Sequence, residues 1–200
     1  VTIHLREDRR HINDLDAKKI CNVKNIKVNL EVSMNKEIIH KALKIKPNFV
    51  CIVPENRKEI TTEGGLNLKH NLKKLDRILK KFNKAKIRTS LFINPSLNDV
   101  RSASKIKTDC VEIHTGKLAN LVKSKKKFSY ELTRIEKCAK LAASLNIEVH
   151  VGHGLDFKTT KILTKISEIE EFNIGHFIIG ESFFLGISKV IKKFKKIIRN

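Results

Sequence analysis

The chain has 200 residues, a formal net charge of +21 and a composition that is 40% hydrophobic. We expect a single domain with a buried core over residues 1–200, which excludes an intrinsically disordered chain, and no apolar run reaches the roughly 20 residues of a membrane helix. The charge is typical of nucleic-acid-binding proteins, but lysine is spread along the whole chain, and one Tyr and no Trp leave little to stack on bases.

Strand-like runs alternate with helix-like stretches along the chain. The predicted strands are 1–5, 27–32, 49–53, 88–93, 110–115, 148–152 and 174–179. The predicted helices are 14–22, 35–44, 68–85, 97–105, 130–144, 157–169 and 183–198, with Ser129 as the N-cap of the fifth. Regular β/α alternation predicts a parallel sheet covered by helices, and the number of strands is one short of a closed (β/α)8 barrel.

Three of these strands carry ionisable side chains on one face, near their carboxyl ends. They are His4 with Arg6, Glu31, and Glu112 with His114. Strands of an open parallel sheet are buried on both faces and read as continuous apolar runs. A barrel enzyme instead collects polar groups from several strands at its C-terminal rim, and we therefore expect a barrel.

Each of these groups has a functional and a structural interpretation. Arg6 can bind a phosphate or carboxylate in bidentate fashion, and the neighbouring His4 can transfer protons near pH 7. A surface strand with scattered polar residues is the alternative. Glu31 interrupts an apolar strand, where a carboxylate is functional or belongs to a structural ion pair.

Residues 53–65 form a segment that is longer than an ordinary βα loop. Pro54 ends the preceding strand, and Gly64 and Gly65 allow backbone amides to approach a ligand. The hydroxyl groups of Thr61 and Thr62 are suited to binding an anion. The segment is predicted to be a functional lid.

Two glycine-containing segments follow near the end of the chain. His153 lies beside Gly154, where the backbone can approach a substrate, and Gly175 and His176 are predicted to open the last strand. Loops after the last two strands of a (β/α)8 barrel commonly bind phosphate.

The cysteines give no sign of a metal site. Cys21, Cys51, Cys110 and Cys138 have neither C-x-x-C spacing nor a pairing with histidine that is typical of metal ligands. We expect free thiols, as in a reducing cytoplasm, and no metal site.

Seven segments together resemble one known family. They are HLREDRRHI (4–12), VNLEV (28–32), VPENRKEITTEGGLNL (53–68), SLFINPS (90–96), VEIHTG (111–116), GHGLDF (152–157) and NIGHFIIG (173–180). Their order and spacing resemble the pyridoxine 5′-phosphate synthases, transferases that close the ring of vitamin B6. The resemblance extends from residue 1 to the end of the chain.

The resemblance implies a TIM barrel that assembles into homo-oligomers, typically octamers, and works in the cytoplasm. The implied reaction condenses 3-amino-2-oxopropyl phosphate with 1-deoxy-D-xylulose 5-phosphate and releases phosphate and water. It uses no metal or organic cofactor, and its partners are small phosphorylated molecules rather than nucleic acids or membranes.

The resemblance also assigns residues to roles. It implies an acid/base pair of His4 and Glu31, a third proton-transfer residue in His153, and a carboxylate that steadies charged intermediates in Glu112. Its binding positions for deoxyxylulose phosphate are Arg6, His11 and Thr61. Its binding positions for the aminoketone phosphate are Gly154, Gly175 and His176.

The sequence departs from the family pattern in three places. The family begins with a further strand bearing Asn, Asp and His, followed by an Arg, so the barrel is expected to lack its first βα unit and to have seven strands. His150 replaces a frequent Asn, and Glu181 replaces a common basic residue. An inactive remnant that only assembles with intact subunits is therefore an alternative to an active synthase, and a basic nucleic-acid-binding protein is another.

Overall fold

A computed structural model describes residues 1–55 and 64–199. Within them lie seven strands: Thr2–His4 (β1), Asn29–Val32 (β2), Phe49–Ile52 (β3), Arg88–Ile93 (β4), Cys110–His114 (β5), Glu148–Gly152 (β6) and Ile169–Asn173 (β7). The helices of the same ranges are Asp14–Cys21 (α1), Lys36–Ile45 (α2), Leu68–Lys84 (α3), Leu97–Lys105 (α4), Gly116–Lys123 (α5), Ser129–Ser144 (α6), Phe157–Leu163 (α7), His176–Leu185 (α8) and Ile187–Arg199 (α9).

The strands form one parallel sheet in chain order, β1 to β7. The sheet curls like the wall of a TIM barrel, and the Thr2 hydroxyl of β1 donates a 2.7 Å hydrogen bond to the Asn173 side chain of β7. The prediction of a seven-stranded parallel barrel wall is confirmed. All the carboxyl ends therefore lie at one end of the molecule, which we call the C-terminal mouth.

Helix packing against the sheet follows from the apolar stripe of each helix. In α3, Leu75, Leu79 and Phe82 recur at helical spacing and are fully buried, while lysines cover the outer face. Side-chain caps fix where helices begin: Asn13 accepts hydrogen bonds from two amides of α1, and Asp156 forms a capping box with Thr159 at α7.

The sequence prediction is wrong in the last third of the chain. Of the predicted strand 174–179, residues 176–179 belong to α8 and Gly175 is its N-cap. The last strand, β7, is Ile169–Asn173, of which only Ile169 fell within a predicted helix, 157–169. A short apolar run such as 174–179 does not distinguish helix from strand by periodicity. Strand β7 was not predicted because it contains Glu170 and Glu171, and acidic residues are uncommon in buried strands.

Two smaller differences occur before it. Helix α5 was not predicted, and α6 begins at Ser129 itself, without a side-chain cap from that residue. Strands β4 and β6 and helix α4 have the predicted bounds. Within residues 1–55 and 64–199, no helix is long and apolar enough to cross a membrane.

Candidate functional site

Alternate residues of the strands point into the barrel. The register pairs His4 with Glu31 and Glu112 with His150 across neighbouring strands. A methyl group on Gly152 would lie 1.9 Å from a Glu112 oxygen, so the same parity holds between β5 and β6. His4, Glu31 and Glu112 therefore share the interior face of the barrel, with His4 and Glu31 towards the C-terminal mouth and Glu112 in the middle of its strand.

His4 lies between two carboxylates. Its Nδ1 is 3.5 Å from Glu31 Oε2, and its Nε2 is 3.5 Å from Glu55 Oε2. Burial, with the nearby positive charges of Arg6 and His11, lowers the pKa of His4 to about 4, although Asp8 acts in the opposite direction. The imidazole is therefore neutral at pH 7 and can accept a proton.

Glu55 was not predicted as a site residue. It lies in the segment 53–65, whose predicted role rested on its glycines and threonine hydroxyl groups. Its side chain is only 1% exposed and accepts a 2.8 Å hydrogen bond from the Glu7 amide. It also faces Arg6, whose Nε is 3.8 Å from Glu55 Oε1. Glu55 thus joins His4 to the predicted anion-binding arginine.

Glu31 is more exposed than Glu112, the other glutamate predicted from the interior strand faces, and 24% of its side chain is accessible. Burial raises the pKa of Glu31 to about 7. A cavity of about 310 Å³ opens at the ends of β2 and β3, lined partly by Ser33, Asn35 and Glu55, and His4 lies between Glu31 and this Glu55. A partly exposed carboxyl group whose pKa lies near neutrality is suited to general acid/base work.

Glu112 is held deeper, at 3% exposure. Asn173 donates a 2.9 Å hydrogen bond to its Oε2, and the Cys51 thiol lies 3.9 Å from the same oxygen. Burial raises the pKa of Glu112 well above its ordinary value, and the negative charge of Glu31 adds to this effect. Both effects favour the neutral form of this carboxyl group, and a positive charge nearby would favour its carboxylate form.

His153 lies against a second imidazole. The ring centroids of His153 and His114 are 4.8 Å apart, and Phe92 meets His114 edge-on at 5.4 Å. Gly116 leaves room for the pair, since a Cβ there would lie 2.8 Å from each ring. Thr115 donates hydrogen bonds to the carbonyl groups of Gly152 and His153, at 2.6 and 2.8 Å.

His114 was noted in the sequence as part of the Glu112 pattern but was not assigned a role. Burial lowers the pKa of His114 to about 4, and the charge of His153 acts in the same direction. It therefore stays neutral at pH 7 and supports the ring of His153. His153 itself has a φ of +79°, which is uncommon outside glycine and marks a constrained turn.

The remaining predicted binding residues lie around the same mouth. Arg6 is buried, His11 is exposed but close enough to influence His4, and Gly154 has a φ of +75°. Gly175 caps helix α8 and His176 is its first residue, both exposed, so they offer a helix N-terminus instead of the expected strand. Thr61 lies outside the described residues, so its predicted role stays a prediction.

Residues 1–200 match the family described as "Pyridoxal phosphate biosynthesis protein PdxJ". The chain belongs to the PdxJ family. Among its relatives, the pyridoxine 5′-phosphate synthase of Pelagibacter ubique (strain HTCC1062) is 61% identical over 197 residues, which are 98% of this chain and 82% of that protein. The enzyme of the same name from Zymomonas mobilis is 45% identical over 98% of this chain and 75% of its own length.

A solved structure outside the family shares the fold of this PdxJ chain. It is the 4-hydroxy-2-oxoglutarate aldolase/2-deydro-3-deoxyphosphogluconate aldolase from TTHB1, with a TM-score of 0.63 over 98% of this chain and 80% of its own. The sequence identity is 9%, so this likeness concerns the barrel architecture alone.

Proposed function

We propose that this PdxJ chain is an active pyridoxine 5′-phosphate synthase. It condenses 3-amino-2-oxopropyl phosphate with 1-deoxy-D-xylulose 5-phosphate and releases phosphate and water. The observation that carries the proposal is that His4, Glu31, Glu112 and His153 come from four different parts of the barrel to the same mouth. The names of the relatives support the same reaction.

Proton transfers at the first condensation fall to His4 and Glu31. The amine of one substrate attacks the ketone of the other, and enolisation then needs a base. Glu31 is the better matched base near pH 7, because burial raises its pKa to about 7, whereas the neutral His4 imidazole, with its pKa lowered to about 4, accepts a proton only weakly. Glu31, whose side chain is 24% exposed and whose pKa lies near the working pH, is our choice for the enolising base.

His153 is the proposed acid for loss of phosphate and water. Its ring is steadied by His114, and its backbone is held by Thr115 at the end of β6. Glu112 responds to the charge of the substrate: a cationic iminium nitrogen favours its carboxylate form, which in turn stabilises the cation. Asn173 keeps that carboxyl group in place.

The two phosphate groups are assigned to different parts of the mouth. Arg6, His11 and Thr61 are proposed to bind the phosphate of deoxyxylulose phosphate. The aminoketone phosphate is proposed to bind near Gly154 and the N-terminus of α8 at Gly175–His176, where free backbone amides and the helix dipole favour an anion.

We also propose a homo-oligomer, and its supporting observation is helix α8. None of its residues is fully buried, and Phe183 and Phe184 are each 86% exposed. Exposed aromatic pairs of this size are typical of interfaces. A Phe184→Asp variant should sediment as a smaller species than the wild type, whereas an unchanged molar mass would remove this support.

The four free thiols support the cytoplasmic location expected from the sequence.

The test is turnover by the purified 200-residue chain supplied with both substrates. We expect formation of pyridoxine 5′-phosphate together with release of inorganic phosphate, and loss of both in His153→Ala. His70→Ala is the matched control, because His70 is exposed on α3. A folded chain that binds both substrates but shows no turnover would overturn the proposal in favour of an inactive assembly partner.

A further inference from the structure

A second cluster of ionisable side chains lies at the opposite end of the barrel. Arg88, Cys110 and Glu148 are the first residues of β4, β5 and β6, and Cys110 pairs with Glu148 in the register. His150 lies two residues further on, on the same face as Glu148, and faces Glu171 of β7 across the strands. We call these five residues the N-terminal cluster.

Three members of the cluster bring together donors of three kinds. The Cys110 sulfur, a Glu148 carboxylate oxygen and a ring nitrogen of His150 all lie within 4.8 Å of one another. Within residues 1–55 and 64–199, this is the one group of three such donors. Thiolate, imidazole and carboxylate are the ligands that zinc prefers, and three of them suffice when a water completes the tetrahedron.

The imidazole of His150 is buried between two carboxylates. Its residue is 1% exposed, its Nε2 lies 2.8 Å from Glu148 Oε1, and its Nδ1 lies 3.8 Å from Glu171 Oε1. Nδ1 has no hydrogen-bond partner among the described residues, although its atom is buried. A carboxylate behind the second ring nitrogen is the arrangement that fixes metal-binding histidines in proteins.

We propose that the N-terminal cluster binds one zinc ion through Cys110, Glu148 and His150. Glu171 lies on the Nδ1 side of the ring, 3.8 Å away, and orients it by closing to hydrogen-bond distance when the ion binds, while solvent from the N-terminal end supplies the fourth ligand. The site is structural, because Cys110 and Glu148 begin their strands at the end of the barrel opposite the C-terminal mouth, and His150 reaches Glu148 from the middle of β6. It adds a ligand that the condensation reaction does not use.

In the metal-free chain, the Arg88 side chain contacts two of the three proposed ligands. Its Nη2 lies 2.5 Å from Glu148 Oε2 and 3.5 Å from the Cys110 sulfur, and its guanidinium stacks over the Phe49 ring at 4.9 Å. The side chain is 45% exposed, so it can leave towards solvent as the ion enters. On binding, the Cys110 thiol releases its proton to solvent and the sulfur bonds to the metal as thiolate.

The experiment is a titration of the chelator-treated, thiol-reduced chain with Co²⁺, which takes zinc sites and reports thiolate ligation as a near-ultraviolet charge-transfer band. We expect one equivalent to bind with this band, and Zn²⁺ to abolish it by displacement. Cys110→Ala should lose the band. Cys138→Ala should keep it, since Cys138 is also buried but belongs to α6.

Arg88→Met is expected to increase the affinity for Co²⁺, and a misfolded variant would not show such an increase. Without the competing guanidinium, Co²⁺ should bind at least about tenfold more tightly. The absence of a charge-transfer band at saturating Co²⁺, a band that survives Cys110→Ala, or an affinity that Arg88→Met lowers would each overturn the proposal. His150→Asn, which replaces the imidazole by a smaller amide, should weaken binding, and unchanged affinity in that variant would also contradict it.

Discussion

Glu31 at the C-terminal mouth lies beside a neutral histidine, and burial raises its pKa to about 7. Glu148 at the N-terminal cluster is also partly buried, which would raise its pKa, but hydrogen bonds from His150 and Arg88 outweigh burial and the pKa falls below its ordinary value. A glutamate can therefore gain or lose a proton near pH 7 at one end of the barrel, whereas a glutamate at the other end is held as a charge-paired carboxylate. Proton transfer needs the first arrangement, whereas a fixed structural contact needs the second.

Glu31→Gln gives the largest expected effect. It keeps the shape of the side chain but removes the base, so kcat should fall about 1,000-fold. Glu136→Gln is the matched control, because Glu136 forms an exposed pair with Lys140 on α6 and lies away from both ends. Turnover measured at substrate saturation decides this. A decrease shared by the control, or none in Glu31→Gln, would show that Glu31 plays no part in the chemistry.

Gly152→Ala sharpens the comparison by displacing the deeper acid. The new methyl group would lie 1.9 Å from Glu112 Oε1, so Glu112 must move away from Asn173. Overpacking of this kind lowers the free energy of unfolding by about 1–3 kcal/mol, and kcat should fall as well.

Gly180→Ala is the control for that substitution. Nothing lies within 4 Å of the position, and Gly180 is inside helix α8. Alanine there should stabilise the chain by up to about 1 kcal/mol. Denaturant unfolding of the two variants compares them directly, and equal stability of the two would show that Gly152 makes no special room for Glu112.

The raised pKa of Glu31 also predicts a pH dependence of stability. Because the folded-state pKa is raised from 4.5 to about 7, the contribution is fully present below pH 4.5 and is lost as the pH rises through about 7. The difference in free energy of unfolding between wild type and Glu31→Gln should therefore decline by up to about 1 kcal/mol per pH unit in that window.

The difference between the two proteins isolates the contribution of Glu31 to the pH dependence of stability from the contributions of other titrating groups. The lowered pKa values of His4 and His114 act in the opposite direction below pH 6.5, and they are present in both proteins. Chemical denaturation at a series of pH values gives the difference. A pH-independent difference would mean that Glu31 titrates as an ordinary exposed acid.

Arg88→Met tests the paired end and has the smallest expected effect. Losing the contacts with Glu148 should lower the free energy of unfolding by about 1 kcal/mol in the presence of a chelator, because the pair is partly exposed and screened by solvent. Turnover should stay unchanged. Arg101→Met, at an exposed position of α4, controls for loss of charge. A large decrease in kcat would contradict the separation of the two ends.

Much of the C-terminal mouth was predictable, because it depends on period-two alternation within single strands. His4 and Arg6 share a face by spacing alone, and Glu31 and Glu112 interrupt apolar runs. Glu55 was missed because nothing local distinguishes a buried loop glutamate from a solvated one. Its burial depends on Arg6 and His4, which are far away in the sequence.

The N-terminal cluster was hidden for a related reason. No metal-ligand spacing occurs along the chain, yet Cys110 and His150 become neighbours because β5 and β6 pair in parallel with Cys110 opposite Glu148. Ligands from adjacent strands have a separation set by the crossover, so short-range spacing rules do not find them. Likewise, the exchange of strand and helix at 169–185 depended on tertiary packing that a short apolar run does not encode.

The most direct test of a single catalytic mouth is the response of histidine signals to substrate. Imidazole resonances of His4, His153 and His150 are assigned by single substitution, and 1-deoxy-D-xylulose 5-phosphate is titrated into the purified chain by NMR. The account predicts saturable shifts of His4 and His153 with one shared dissociation constant, and no shift of His150. A shift of His150 alone, or different dissociation constants for His4 and His153, would contradict it.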